Sequence, residues 1–143
     1  MRPVRVSHEI FVAAPPETVW RVTADVAGWA DWSPTITAVS GWAGGPLVED
    51  ARLDLKQPLQ RKRSWVVLRC AAPRSLLLRT AEGDMTAVHE IAEMPRGTRN
   101  RLTLVRCGPF GGLVAPALRM ALRMENAALK RRCEALSENA RGP

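Results

Sequence analysis

The chain is 143 residues long, 46% hydrophobic and 24% charged, with a formal net charge of +7. That length and apolar content fit one domain over residues 1–143 with a core of its own, and exclude a disordered chain or a disulfide-stapled miniature. No apolar run approaches the roughly 18 residues of a membrane span, and His8 and Glu9 interrupt the stretch that could pass for a signal-peptide core.

The first predicted element is a strand over residues 4–13, in which Val6, His8, Ile10 and Val12 share one face by alternation. Pro15-Pro16 ends it and opens a helix over 15–23, because the first helical positions need no amide donor. Glu17 lies in the first turn, where the helix dipole favours a carboxylate. A second short helix is expected over 25–30 with Asp25 as its cap, closed by Trp29, Trp32 and Pro34. Strands are then predicted at 35–43, 47–56, 61–71, 75–81, 84–94 and 98–107, divided by Gly44-Gly45-Pro46, Pro73-Arg74, Glu82-Gly83-Asp84 and Pro95-Arg96-Gly97. Short turns between successive strands imply an antiparallel meander, since parallel pairing needs crossovers. After the break Gly108–Gly112 a helix is predicted over 113–137, with Pro116 in its first turn. Its apolar face is Val114, Leu118, Ala121, Leu122, Leu129, Cys133 and Leu136, which must lie across the concave side of the sheet.

The opening segment Ile10–Pro34, with its strand, Pro-started helix and Trp-x-x-Trp-x-Pro exit, resembles the start of the SRPBCC superfamily, the START-like or helix-grip proteins. The Gly97-Thr98 turn into alternating Leu102 and Leu104, and the long C-terminal helix, are similar to that superfamily's closing elements. The resemblance implies an α+β helix-grip fold: a curved antiparallel sheet of about seven strands wrapped on a long C-terminal helix, with two short helices after the first strand. It also implies a pocket between sheet and helix, of the polyketide cyclase/dehydrase or lipid-transport type. The same fold hosts many ligands and activities, so it does not name one.

Candidate chemistry is sparse. His8 lies on the apolar face of the first strand and His89 on the sixth, where either the Ala87-His89-Ile91 or the Val88-Glu90-Ala92 face could be the inward one. Two inward histidines would permit general acid–base chemistry. Neither has a carboxylate partner at a known spacing, and no nucleophile elbow occurs. The chain has no tyrosine, although cyclases of the resembled superfamily use tyrosine hydroxyls to orient carbonyls. Trp20, Trp29 and Trp32 are read as packing of the short helices, and Trp42 and Trp65 as candidates to line the cavity or its rim, whose indole N–H could orient a ligand oxygen. Met120 and Met124 are read as deformable ligand contacts on the long helix. Cys70, Cys107 and Cys133 lack metal or redox spacing and are expected as reduced, buried small hydrophobes of a cytoplasmic protein. No metal and no cofactor is expected.

Charge is unevenly placed. Residues 1–95 carry 11 basic and 11 acidic side chains; residues 96–143 carry 10 basic and 3 acidic. A basic last third attracts acidic ligands or surfaces. No nucleic-acid-binding motif accompanies it, so no nucleic-acid partner is expected, membrane contact is peripheral at most, and the state is a monomer or weak dimer. The arginine bias, 18 of 21 basic residues, suggests a bacterial genome rich in GC. The leading reading is a carrier of a hydrophobic small molecule such as a lipid, quinone or polyketide. The alternatives are a polyketide cyclase/dehydrase-type enzyme working through His8 or His89, and a protein-interaction module presenting Arg119 and Arg123.

Overall fold

Alternating apolar and polar side chains over Val4–Val12 form the first strand, β1, of the computed structural model, which describes residues 2–141. Pro16 opens α1 (Pro16–Ala24), with Glu17 in its first turn and Val19 and Val22 buried. The segment expected as one Asp25-capped helix is instead a 3₁₀ turn at Val26–Gly28 followed by the single turn α2 (Trp29–Trp32), and the Asp25 side chain makes no capping bond. The strands are β2 (Ala38–Ser40), β3 (Arg52–Lys56), β4 (Arg63–Ala71), β5 (Ser75–Thr80), β6 (Met85–Met94) and β7 (Gly97–Arg106). β2 and β3 are shorter than the sequence suggests. Gly41, Gly44, Gly45 and Asp50 all take positive φ, which carries residues 41–51 out of extended pairing.

All pairings are antiparallel, and the order is β1-β7-β6-β5-β4-β3-β2, so the first strand closes against the last. Gly97 makes that closure possible, because a Cβ there would strike the Val12 carbonyl and the Phe11 ring. A bulge at Leu68 shifts the β4–β5 register between Val67 and Arg69 and bends the sheet. Register places His8 opposite Leu102, Leu102 opposite His89, and His89 opposite Leu76. These four therefore form one row on the concave face, which settles the open choice on β6: His89 points inward and Glu90 is exposed.

The last element, α3 (Gly111–Arg141), packs on β1, β7 and α1. It begins two residues earlier than predicted, which moves Pro116 into the second turn, where it removes the bond to the Gly112 carbonyl. Buried apolar side chains gather in three clusters rather than one. Trp29, Ile36, Leu53, Trp65, Leu76 and Leu78 fill the β3–β5 end. Val12, Val19, Val22, Ile91, Leu129 and Cys133 join α1 to the second half of α3. Val6, Leu102, Ala115 and Leu122 seat its first half. Among the cysteines only Cys133 is fully buried, with its thiol pushed up to about 12 mainly by desolvation. Cys70 is half-buried, and Cys107, expected inside, is exposed just past β7.

Candidate functional site

Where the three clusters meet they do not merge. They leave a cavity of about 110 Å³, walled by Leu55, Trp65 and Leu78 from the first, Leu129 from the second, and Leu102 and Leu122 from the third. Trp29 and Trp32 of the short helices, read from sequence as packing alone, also line it. Trp29 is held by its Nε1–H donating to the Thr23 carbonyl at 3.0 Å. The wall is apolar except at a few points.

Those points carry the chemistry. Trp65 is 5% exposed, and its Nε1–H has no hydrogen-bond partner among the described residues. The Thr23 hydroxyl, on another wall of the same cavity, is likewise buried without one. The hydroxyl of Thr103, another lining residue, is a third such group. A buried donor left unpaired costs roughly 1–3 kcal/mol, so three at one cavity mark a place for an acceptor. His89 also lines the cavity, and desolvation pushes its pKa down to about 4, so near neutral pH it is an uncharged imidazole.

Sequence reasoning missed Glu125. It extends from α3 into the cavity wall, and its Oε2 accepts hydrogen bonds from Ser33 Oγ at 2.6 Å and Thr35 Oγ1 at 2.7 Å. No basic side chain pairs with it among the described residues. Burial pushes its carboxyl upward, and the two hydroxyl donors oppose that by favouring the carboxylate. The signal was present in the chain. Leu118, Leu122, Glu125 and Leu129 follow the spacing of an apolar stripe, so an acid occupies a position that should face the core.

Of the residues singled out from sequence, Trp65 and His89 line the cavity. His8 is on the same face but not in the cavity wall. Leu102 separates it from His89, roughly 10 Å away at two strand spacings, so the two histidines form no dyad. Its Nδ1 instead accepts from Asn126 Nδ2 at 2.8 Å, while Asn126 Oδ1 accepts from Asn100 Nδ2 at 2.7 Å. Trp42 packs at the edge of the first cluster, away from the cavity lining. Met120 and Met124 are 52% and 45% exposed, on the side of α3 turned from the sheet. No cluster of metal-ligating side chains occurs among the described residues.

The depressed pKa of His89 makes stability pH-dependent. Between about 6.5 and about 4 the unfolded chain binds a proton that the folded chain refuses, so stability present at neutral pH falls as pH drops through that window. The loss is about 3 kcal/mol and levels off below pH 4. Urea unfolding at pH 7 and pH 4.5, compared with His89→Gln, checks it: the variant should lose most of this dependence, and the difference separates His89 from the carboxylates that titrate nearby.

A family model described as polyketide cyclase / dehydrase and lipid transport matches residues 3–134. Solved structures share the fold at low sequence identity. A START superfamily protein from Mycobacterium smegmatis is 21% identical, with a TM-score of 0.76 over 92% of this chain and 98% of its own. The Aha1 dimer from Colwellia psychrerythraea is 14% identical, with a TM-score of 0.75 over 92% of this chain and 96% of its own. The di-domain ARO/CYC protein StfQ of the steffimycin biosynthetic pathway is 12% identical, with a TM-score of 0.76, and the match covers 99% of this chain and 52% of StfQ. No curated protein matches the chain.

Proposed function

The chain belongs to the polyketide cyclase / dehydrase and lipid transport family, and on that premise we propose that it carries a hydrophobic small molecule, lipid, quinone or polyketide-like, between the sheet and α3. The observation that carries this reading is an apolar cavity whose wall contains unpartnered buried donors at Trp65 and Thr23. Pockets for molecules of drug size run to about 300–1,000 Å³, and an apolar hole of about 150 Å³ suffices for benzene. At about 110 Å³, and partly open, the cavity is on the scale of one ring. A longer ligand would extend out of this space or part α3 from the segment after α2, which the bonds from Ser33 and Thr35 to Glu125 join.

A second reading, a cyclase/dehydrase-type enzyme, is favoured by one further observation. An uncharged imidazole at His89 and a carboxyl at Glu125 line the same cavity, and such a pair can move protons on an enclosed substrate. His89→Ala separates the readings, since a carrier keeps its ligand and an enzyme loses turnover. We place the protein in a bacterial cytoplasm, as a monomer or weak dimer with at most peripheral membrane contact. The three unpaired thiols support a reducing compartment.

Native mass spectrometry of freshly purified protein, followed by solvent extraction, tests the carrier reading. A discrete added mass released by solvent is the expected result. A bare polypeptide mass, retained after incubation with lipids, quinones and single-ring aromatics, would overturn it.

A further inference from the structure

We propose that the ligand of this cavity is an uncharged, single-ring-sized molecule bearing a hydroxyl or N–H donor, anchored by Glu125, and that carboxylates and phosphates are rejected. The inference rests on the carrier reading and gives that ligand its chemical class. Three observations converge on it.

The first is the state of Glu125. Both hydroxyl donors, Ser33 and Thr35, bond to Oε2, and Oε1 takes no protein hydrogen bond among the described residues. A cavity-wall carboxylate with a free oxygen and no counter-cation accepts a donor from whatever shares the cavity. In its ionised form, which the two hydroxyl donors favour, it also repels a second anion, because two like charges in a poorly solvated space disfavour each other strongly. The basic excess of the last third does not offset this: Arg119 and Arg123 are exposed on α3.

The second is the set of donors on the remaining wall. The Trp65 indole N–H and the Thr23 hydroxyl are buried without partners and can receive the lone pairs of a hydroxyl oxygen or a carbonyl. A hydroxyl is both donor and acceptor, so one group can satisfy both kinds of wall, which a methyl or an ether cannot do.

The third is size. About 110 Å³ is the scale of a single ring, far below the roughly 300–1,000 Å³ of pockets for drug-sized molecules. An aliphatic chain of fatty-acid length fails on volume, and its head group fails on charge.

Three probes of nearly equal shape test the proposal: p-cresol, p-xylene and p-toluate. Binding is followed at pH 8 by quenching of the cavity tryptophans Trp29, Trp32 and Trp65 and by isothermal titration. The expected order is p-cresol about tenfold tighter than p-xylene, the advantage of one well-made hydrogen bond, with p-toluate weaker than p-cresol by at least about 100-fold. Glu125→Gln keeps an acceptor and should keep the cresol preference. Glu125→Leu suits the apolar stripe and should reverse it in favour of xylene. Xylene equal to or tighter than cresol on the wild-type protein, or toluate binding as tightly as cresol, would overturn the donor assignment while leaving the carrier reading intact. Binding by none of the three would overturn the ring-sized ligand, whereas the carrier reading falls only with the extraction test.

Discussion

Replacing Asn126 with alanine should destabilise the protein by about 3 kcal/mol, although the residue does not itself line the cavity. Asn126 is fully buried in α3 and makes three bonds: its amide donates to His8 Nδ1 and to the His8 carbonyl, and its oxygen accepts from Asn100. The helix is thereby tied to β1 and β7 together. Truncation strands the Asn100 amide in a core where the Asn100 oxygen already lacks a partner, and opens a void beside it. Each buried group left unpaired costs roughly 1–3 kcal/mol, and the void adds to that. For a domain of this size the loss corresponds to a melting temperature lower by roughly 6–12 °C, readable by calorimetry or circular dichroism. A loss below about 1 kcal/mol would show that the network contributes little to the seating of α3. The same geometry assigns His8 a structural part. Its ring Nδ1 and its carbonyl both meet the Asn126 amide, so the residue helps hold the helix.

The second large effect is on binding, and it runs opposite to stability. Ala87 stands on β6 between Leu78 and Leu104, and all three line the cavity. Ala87→Leu extends a branched side chain into about 110 Å³ of space. Filling a cavity recovers contacts that its wall lacks, so stability should rise by roughly 1 kcal/mol. Ring-sized ligands should be displaced, with affinity for p-cresol falling at least about 100-fold, since little room remains and overpacking costs 1–3 kcal/mol or more. A titration by tryptophan quenching beside a urea melt reads both quantities from one preparation. Retained affinity would mean that ligand binds elsewhere, and the cavity would lose its functional reading.

Much of the fold was legible in the chain because each element declares itself within a few residues. The Pro-started α1, the alternation of β1 and the amphipathic α3 are local facts. They sufficed for the number of strands, their antiparallel meander and the long helix across the sheet. Errors fell where local signals compete. In residues 41–51 positive-φ glycines outweigh apolar content and shorten two strands, and Asp25 precedes a 3₁₀ turn that its side chain does not cap.

The candidate site was legible in part, and the division has a physical cause. Alternation and the helical repeat state which side of its own element a residue occupies. They were enough to put His8 and Val6 on one face and to show, in retrospect, Glu125 inside an apolar stripe. They cannot say which element stands opposite, because that depends on contacts between residues far apart in the chain. Met120 and Met124 flank the stripe in sequence yet face outward, since α3 meets the sheet through Ala115, Leu122 and Leu129. Glu125 finds Ser33 and Thr35 about 90 residues away, a meeting that only the docking of α3 against the segment after α2 creates. By itself, then, the sequence determined the elements, their order and the side on which each residue stands. Tertiary packing alone decided that three clusters stop short of merging and enclose Trp65, His89 and Glu125 around one small cavity, because register and side-chain volume across distant strands set that gap.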